Sequence, residues 1–326
     1  MKPPGFWQRD GHPLPRMLAW PLSMGWLAGA ALKNLTIRKG TAVVPVICVG
    51  NLDLGGSGKT PTVHMLAAWF AAQEIRPGVL SRGHGGSLSG RSPVRVDLAA
   101  HDAGQVGDEP LLHAARYPTV ICADRVTGAE LLATDCDVIL MDDGFQNPGL
   151  ARDLDLLVVD AKSGFGNGAV FPAGPLREPL QRGLARADAI IAVGPELRDG
   201  RINGSGLPVL RARLRPDETG LARKVYGFCG IGRPEKFQQT LVGNGRRVVG
   251  FRAFPDHHPF TDAEIEKVLR EAGATGATPV TTEKDAVRIA ARFRDRISVL
   301  SVSLVPDAPE QLDALLQPIA DQIRTP

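Results

Sequence analysis

The chain has 326 residues, of which 43% are hydrophobic and 22% are charged, a balance typical of a globular protein. Its formal net charge of +3 is too small to indicate a nucleic-acid-binding protein, so we expect no nucleic-acid partner. The four cysteines show no C-x-x-C pair and no metal-ligand spacing. We therefore predict buried, reduced thiols and no disulfide framework.

An uncharged apolar segment lies near the N-terminus, between basic residues. Residues 17–32 carry no charge, and Trp7, Trp20 and Trp26 all precede residue 27. The segment is shorter than the roughly 20 apolar residues that a membrane-spanning helix needs, and Pro21 interrupts it. Because tryptophan prefers the membrane–water interface and basic side chains are attracted to anionic headgroups, we predict an interfacial helix. A helix packed in the core and a cleaved signal peptide are the alternatives.

Residues 46–61 hold the pattern around which the chain is organised. An apolar, β-branched run is followed by a glycine-rich turn and then by a helical pattern. Such a loop binds nucleotide phosphates through backbone N–H groups, while a lysine neutralises their charge and a hydroxyl reaches Mg²⁺. Asp53 stands where the usual spacing has glycine. We predict phosphate binding by Gly55, Gly56, Ser57, Gly58, Lys59 and Thr60.

Strand-like and helical patterns alternate from residue 46 onward, which indicates a doubly wound, mostly parallel α/β sheet. From about residue 224 a second, smaller α/β unit follows, with a capping box at 261–264, a single strand at 297–304 and a closing helix at 310–323. We predict three parts: an N-terminal hydrophobic helix at 1–40, a P-loop αβα domain at 41–220 and a smaller α/β domain at 221–326.

Pairs of carboxylates occur where strands end or helices begin. Asp142 and Asp143 end an apolar strand, where a P-loop protein places a Mg²⁺ ligand; a plain turn at Gly144 is the alternative. Asp108 and Glu109 open a helix, where they could cap free N–H groups or supply the proton acceptor and metal organiser that a kinase needs.

Two further loops carry charged or titratable side chains. Arg177 and Glu178 lie in a proline-rich loop, where the arginine could stabilise a transferring phosphoryl group or the two could form a surface ion pair. His257 and His258 precede the capping box. Because adjacent histidines rarely bind one metal, we predict a histidine paired with a carboxylate; loop histidines near a helix cap are the alternative.

Eight motifs occur in an order that resembles the tetraacyldisaccharide 4′-kinase family, the lipid A 4′-kinases of Gram-negative bacteria. The matching region runs from about residue 46 to 288. The motifs are GNLDLGGSGKTP (50–61), SRGHGG (81–86), VGDEP (106–110), DDGFQ (142–146), PAGPLREP (172–179), FCGIGRP (228–234), DHH (256–258) and TTEKDA (281–286).

The resemblance implies a phosphotransferase with an alcohol group as acceptor. It would use ATP and Mg²⁺ to phosphorylate the 4′-hydroxyl of tetraacyldisaccharide 1-phosphate in lipid A biosynthesis. Two αβα domains with the active site in the cleft between them are implied, as is peripheral attachment to the cytoplasmic face of the inner membrane. The expected partners are the lipid substrate and the membrane surface, with no obligate protein partner.

Residue roles follow from the same resemblance. Asp108 would be the base toward the 4′-hydroxyl, with His257 as its dyad partner, while Lys59 and Thr60 would bind phosphates and Mg²⁺. The metal and the lysine would be organised by Glu109, Asp142 and Asp143. The phosphate-transfer site and substrate contacts would involve Arg177, Glu178, Arg82 and Gln146.

The sequence departs from the family pattern at two positions, and two alternative functions remain. Asp53 replaces a small hydroxyl residue of the family pattern, and His84 replaces a tyrosine. A P-loop switch or partition-type ATPase is one alternative, although Leu54 stands where those ATPases have a signature lysine. A soluble kinase for a small metabolite, with the N-terminal segment in its core, is the other.

Overall fold

A computed structural model describes residues 4–217 and 220–325. The strands in these ranges are β1 Val46–Gly50, β2 Pro77–Ser81, β3 Val94–Arg95, β4 Thr119–Ile121, β5 Val138–Asp142, β6 Leu154–Asp160, β7 Ala189–Val193, β8 Val209–Pro216, β9 Lys224–Cys229, β10 Arg247–Ala253, β11 Thr278–Thr282, β12 Ser298–Leu300 and β13 Val302–Pro306. The helices are α1 Pro13–Leu35, α2 Lys59–Ala72, α3 Ala103–Val106, α4 Asp108–Ala114, α5 Arg125–Leu132, α6 Leu180–Leu184, α7 Gly200–Asn203, α8 Pro234–Gly243, α9 Asp262–Ala274, α10 Glu283–Ala286, α11 Ala291–Arg294 and α12 Pro309–Arg324, with a short 3₁₀ helix at Gly5–Trp7.

The larger sheet has the strand order β13-β8-β7-β6-β1-β5-β2-β4-β3. All its neighbouring strands are parallel except the two edge pairs, β13 with β8 and β3 with β4. The chain first forms β2 to β5 on one side of β1 and then crosses to form β6, β7 and β8 on the other. Sheets of this kind bind ligands in the crevice beyond the carboxyl ends of the strands, where the strand order reverses. The predicted doubly wound, mostly parallel α/β fold is confirmed.

Both faces of the larger sheet are covered. On one face, α2 and α12 bury Leu66, Phe70 and Leu316 against the strands. On the other, α5 and the segment after β5 bury Leu132 and Phe145. Burial on both faces explains why β1 and β5 consist of continuous apolar runs instead of alternating polar and apolar residues.

The smaller sheet is fully parallel, in the order β10-β9-β11-β12. Helix α9 begins at the predicted capping box, in which Thr261 and Glu264 bond reciprocally to each other's backbone. The segments that follow β10 and β11 carry the residues that meet α4 of the larger unit, as described below.

The predicted single strand at 297–304 is wrong. β12 pairs with β11 in the smaller sheet, whereas β13 pairs antiparallel with β8 in the larger one, so the chain changes sheets at Ser301. Helix α12 then packs its apolar face on the larger sheet. Residues 302–324 therefore lie with the larger sheet, although the sequence placed all of 221–326 in the smaller domain. An apolar run shows that a strand is buried but not which sheet it joins.

Helix α1 lies on the surface and continues through Pro21. Its side chains Leu18, Trp20 and Leu22 are 73%, 60% and 67% exposed, so the alternative of a core helix is wrong. Hydrogen bonds attach it to the rest of the chain: the Ser23 hydroxyl donates to Val170 O (2.9 Å) and accepts from Ala173 N (3.3 Å), and the Trp26 indole N–H donates to Arg177 O (3.0 Å). No helix among the described residues is long and apolar enough to cross a membrane.

Candidate active site

The glycine-rich loop joins the end of β1 to the start of α2. Gly58 has φ of +96°, a left-handed conformation that favours glycine, and Lys59 is the first residue of the helix. Two backbone hydrogen bonds join the proline-rich loop to this turn: Arg177 N donates to Leu52 O at 2.6 Å, and Leu54 N donates to Pro175 O at 2.9 Å. The predicted phosphate loop thus has a strand before it, a helix after it and a fixed backbone.

Asp53 braces this loop. Its Oδ1 accepts from Asn51 Nδ2 at 2.5 Å, and the same amide group donates to Gly55 O at 3.1 Å. Burial raises the pKa of the Asp53 carboxyl, while Lys59 and Arg177 oppose that rise. Among the described non-glycine residues, positive φ occurs only at Glu74, Asp143 and His257, so the conformation at position 53 does not require glycine.

Asp143 joins the loop lysine to the proline-rich loop. Its Oδ1 lies 3.5 Å from Lys59 Nζ and 2.9 Å from Arg177 Nη1. Burial alone would raise the pKa of Asp143, but the two cations outweigh it and hold that pKa below its ordinary value. The residue has φ of +50°, a strained conformation for a non-glycine residue. Asp143 therefore follows the end of β5 in a turn and also contacts two cations, while its role toward a metal stays a prediction.

Arg177 and Glu178 do not pair with each other, so the alternative of a surface ion pair between them is wrong. Arg177 instead contacts Asp143 and Gln146 Oε1 (3.3 Å). The buried Glu178 binds both Nη atoms of Arg186, at 2.7 and 2.8 Å, and accepts from Gln146 Nε2 at 3.2 Å. Gln146 also donates to Asn51 O (2.8 Å), so hydrogen bonds link Glu178 through Gln146 to the start of the glycine-rich loop.

Asp142 ends a buried chain of side chains that the sequence did not reveal. Its Oδ2 lies 3.1 Å from His113 Nε2, and His113 Nδ1 lies 3.1 Å from His64 Nε2. Burial lowers the pKa of His64 to about 3, with His113 and Arg116 adding to the effect. Asp142 Oδ1 is buried without a hydrogen-bond partner. The sequence signal for this chain of contacts was a histidine on an otherwise apolar face of each of two helices, α2 and α4.

Asp108 and His257 meet between the two sheets. His257 Nδ1 lies 2.8 Å from Asp108 Oδ2, and Arg288 Nε lies 3.4 Å from the same oxygen. Helix α4 begins at Asp108 after Gly107, whose φ is +92°, and no side chain caps it. The capping alternative for Asp108 is therefore wrong. His258 contacts Glu264 (3.0 Å) in the cap of α9, so His257 is the histidine that faces the acid.

The remaining predicted residues are not gathered around one point. Glu109 Oε1 lies 2.9 Å from Lys284 Nζ, and the lysine outweighs burial and lowers the pKa of the Glu109 carboxyl. Arg82 is exposed, and Thr60 is half-buried beside Lys59. Within residues 4–217 and 220–325, no three His, Cys, Asp or Glu side chains converge as a metal-binding group. The predicted ligand set Thr60, Glu109, Asp142 and Asp143 thus stays a prediction.

The strand, glycine loop and helix-start lysine, with acidic residues at the end of the adjacent strand, define a P-loop protein that binds nucleotide phosphates. The family model of tetraacyldisaccharide-1-P 4′-kinase matches residues 15–320. The chain belongs to this family, which confirms the predicted family and the predicted enzyme class, a kinase. The switch ATPase and the soluble metabolite kinase are not favoured.

Individual relatives agree with the family match. The chain is 49% identical to tetraacyldisaccharide 4′-kinase of Rhodospirillum centenum, covering 98% of this chain and 97% of the relative. It is 47% identical to the same kinase of Paramagnetospirillum magneticum, covering 99% of each. LpxK from Aquifex aeolicus, whose crystal structure is a complex with ATP, superposes with a TM-score of 0.74 at 27% identity, covering 93% of this chain and 99% of that one.

Proposed function

We propose that this chain transfers the γ-phosphoryl group of ATP to the 4′-hydroxyl of tetraacyldisaccharide 1-phosphate at a membrane surface. Family membership and the ATP held by the Aquifex relative support the reaction. The observation that carries the proposal is the Asp108–His257 pair, a carboxylate and a histidine 2.8 Å apart. Asp108 begins a helix of the larger unit, and His257 lies in a loop after β10 of the smaller one. A proton acceptor of this kind is what a kinase needs for an attacking hydroxyl.

The loop residues would hold the nucleotide. Backbone N–H groups of 55–60 and the Lys59 ammonium would bind the β- and γ-phosphates, and Asp143 keeps Lys59 and Arg177 directed at the same point. Arg177 would stabilise charge on the transferring phosphoryl group. Because both cations lie against one carboxylate, Asp143 can keep them in place while they contact the phosphates.

Mg²⁺ fits at Asp142. The buried, unpartnered Oδ1 of this residue needs a cation or a donor, and carboxylate and hydroxyl oxygens are the ligands that Mg²⁺ prefers. Asp142 and Thr60 would hold the ion, which would neutralise charge on the β- and γ-phosphates. In this assignment Asp143 holds Lys59 and Glu109 holds Lys284, so these two carboxylates organise lysines instead of the metal.

Asp108 would accept the proton of the 4′-hydroxyl. Its Oδ2 is occupied by His257 and Arg288, which leaves Oδ1 to approach the substrate. The assay uses γ-labelled ATP and the acylated disaccharide in mixed micelles. We expect Asp108→Asn to lower kcat about 10²- to 10³-fold with an unchanged KM for ATP, and Glu266→Gln, on an exposed turn of α9, to match wild type. A parallel loss of ATP binding would overturn the base role of Asp108.

The exposed apolar side of α1 would lie in the cytoplasmic face of the inner membrane. Leu18 and Leu22 are one turn apart and exposed, and the hydrogen bonds that attach the helix are made by Ser23 and Trp26. We expect Leu18→Glu/Leu22→Glu to release the protein from anionic vesicles in a sedimentation assay. A matched pair, Leu98→Glu/Val242→Glu, changes exposed apolar residues elsewhere and should stay bound. Equal release of both variants would refute the role of α1.

A further inference from the structure

Lys284 lies between the two acidic residues that open α4 and the histidine that faces them. Its Nζ is 2.9 Å from Glu109 Oε1 and 3.2 Å from His257 Nε2. Lys284 belongs to α10, whose first residue follows the cap Thr282. The lysine is therefore a side chain of the smaller unit that reaches across to α4, and its ammonium group makes contact with both sides.

The direction of these hydrogen bonds determines where the proton of His257 sits. A lysine ammonium has three donors and no acceptor. Its partner Nε2 must therefore present a lone pair, which means that Nε2 carries no proton. The single proton of the neutral ring is then on Nδ1, from which it is donated to Asp108 Oδ2.

Carboxylates lie on both sides of the His257 ring, and Arg288, 3.4 Å from Asp108 Oδ2, and Lys284 supply the opposing charges. Asp108 lies on the Nδ1 side, and Asp256 Oδ1 lies 3.9 Å from Nε2 on the other. Two flanking carboxylates stabilise an imidazolium, since an opposite charge within about 4–6 Å favours the charged form. The Lys284 ammonium occupies Nε2 and places a positive charge beside the ring, and both effects oppose that protonation.

We propose that Lys284 is a positioning residue that keeps His257 neutral with its proton on Nδ1, so that Asp108 remains a free base. An imidazolium at His257 would bind Asp108 more strongly and reduce its ability to take a proton from the acceptor hydroxyl. Glu109 serves this arrangement by anchoring the lysine. This inference rests on the proposed function only through the base role of Asp108, because the protonation state of His257 is observable without turnover.

The test is nitrogen-15 NMR of the full chain, labelled at histidine and held in detergent micelles at neutral pH. Two-bond correlations distinguish a protonated ring nitrogen from an unprotonated one, and His257→Gln identifies the signals of this residue. In wild type we expect an unprotonated Nε2 and a protonated Nδ1. A protonated Nε2 in the wild-type protein would overturn the proposal without recourse to any variant.

Variants then separate positioning from a structural role. Lys284→Met keeps the length of the side chain but removes its donors, and we expect His257 Nε2 to become protonated and kcat to fall about 10-fold with an unchanged KM for ATP. Lys267→Met, on an exposed position of α9, is the matched control and should behave as wild type. If Lys284→Met loses activity while Nε2 stays unprotonated, the lysine only braces the two units and the inference is wrong. Absence of turnover in wild type would instead refute the proposed function, leaving the NMR result intact.

Discussion

Acid should destabilise this protein through His64. The folded-state pKa of His64 is about 3, against an ordinary value of 6.5, because the ring is buried beside His113 and near Arg116. Between these two pH values the unfolded chain binds a proton at this site that the folded chain excludes. Stability is therefore unaffected above pH 6.5 and falls as the pH drops toward 3, with a slope of up to about 1.4 kcal/mol per pH unit.

The expected size of the effect follows from the same two values. Lowering the pH from 7 to 5 should cost about 2 kcal/mol through this residue alone. His64→Gln places an amide N–H near the position of Nε2, so it can still donate to His113 Nδ1 but cannot titrate. We expect this variant to lose about 2 kcal/mol less than wild type over that pH interval.

Urea denaturation at pH 7 and at pH 5 gives the free energy of unfolding of the larger unit, which contains His64. Titrating groups that do not contact His64 contribute equally to wild type and variant, so the difference between them reports on His64 together with its partner His113. His84→Gln is the control, because His84 is exposed and its replacement should leave the pH dependence unchanged. If His64→Gln shows the same loss of stability as wild type between the two pH values, His64 is not held neutral by burial and the reasoning fails.

Three further outcomes follow from the contacts around the phosphate loop and the core. Asp143→Asn should raise the KM for ATP about 10-fold in steady-state kinetics, because Lys59 and Arg177 lose the carboxylate that directs them; an unchanged KM would contradict the shared contact. Glu178→Gln should cost about 2 kcal/mol in urea denaturation, since Arg186 loses a two-bond partner, and a change below a few tenths would contradict it. All four cysteines are buried, so thiol reagents should label the folded chain only after urea is added; rapid labelling without urea would show that the core opens locally.

Much of the site was predictable because its chemistry lies in short, contiguous patterns. The loop at 46–61 needs glycines next to a lysine and a hydroxyl, and these requirements are met within one turn of chain. The same holds for the capping box of Thr261 and Glu264, which the structure reproduces. Motif order was enough to identify the family, and with it the kinase class.

Apart from Asp108 with His257, which the family resemblance implied, the pairings between distant segments described here were not predicted. Lys284 lies in a short helix and Arg288 just after it, and neither stands out until folding brings them to Glu109 and Asp108, more than 170 positions earlier in the chain. The same applies to His64 and His113, and to the return of residues 302–324 to the larger sheet. The exposure of the α1 side chains was also known only from the structure, since the sequence pattern of an apolar helix is the same whether it faces the core, the solvent or a membrane.

The amino-acid sequence by itself determined that a glycine-rich loop with a lysine lies between a strand and a helix at residues 55–60 and that two carboxylates end a later strand, because local backbone geometry and residue type suffice for both. It also left Asp53 unexplained. Only the tertiary structure decided that Asp53 holds Asn51, that Asp143 directs two cations and that His257 is set between Asp108 and Lys284. The physical reason is that the state and direction of a charged side chain depend on its nearest partners, which folding brings from remote parts of the chain.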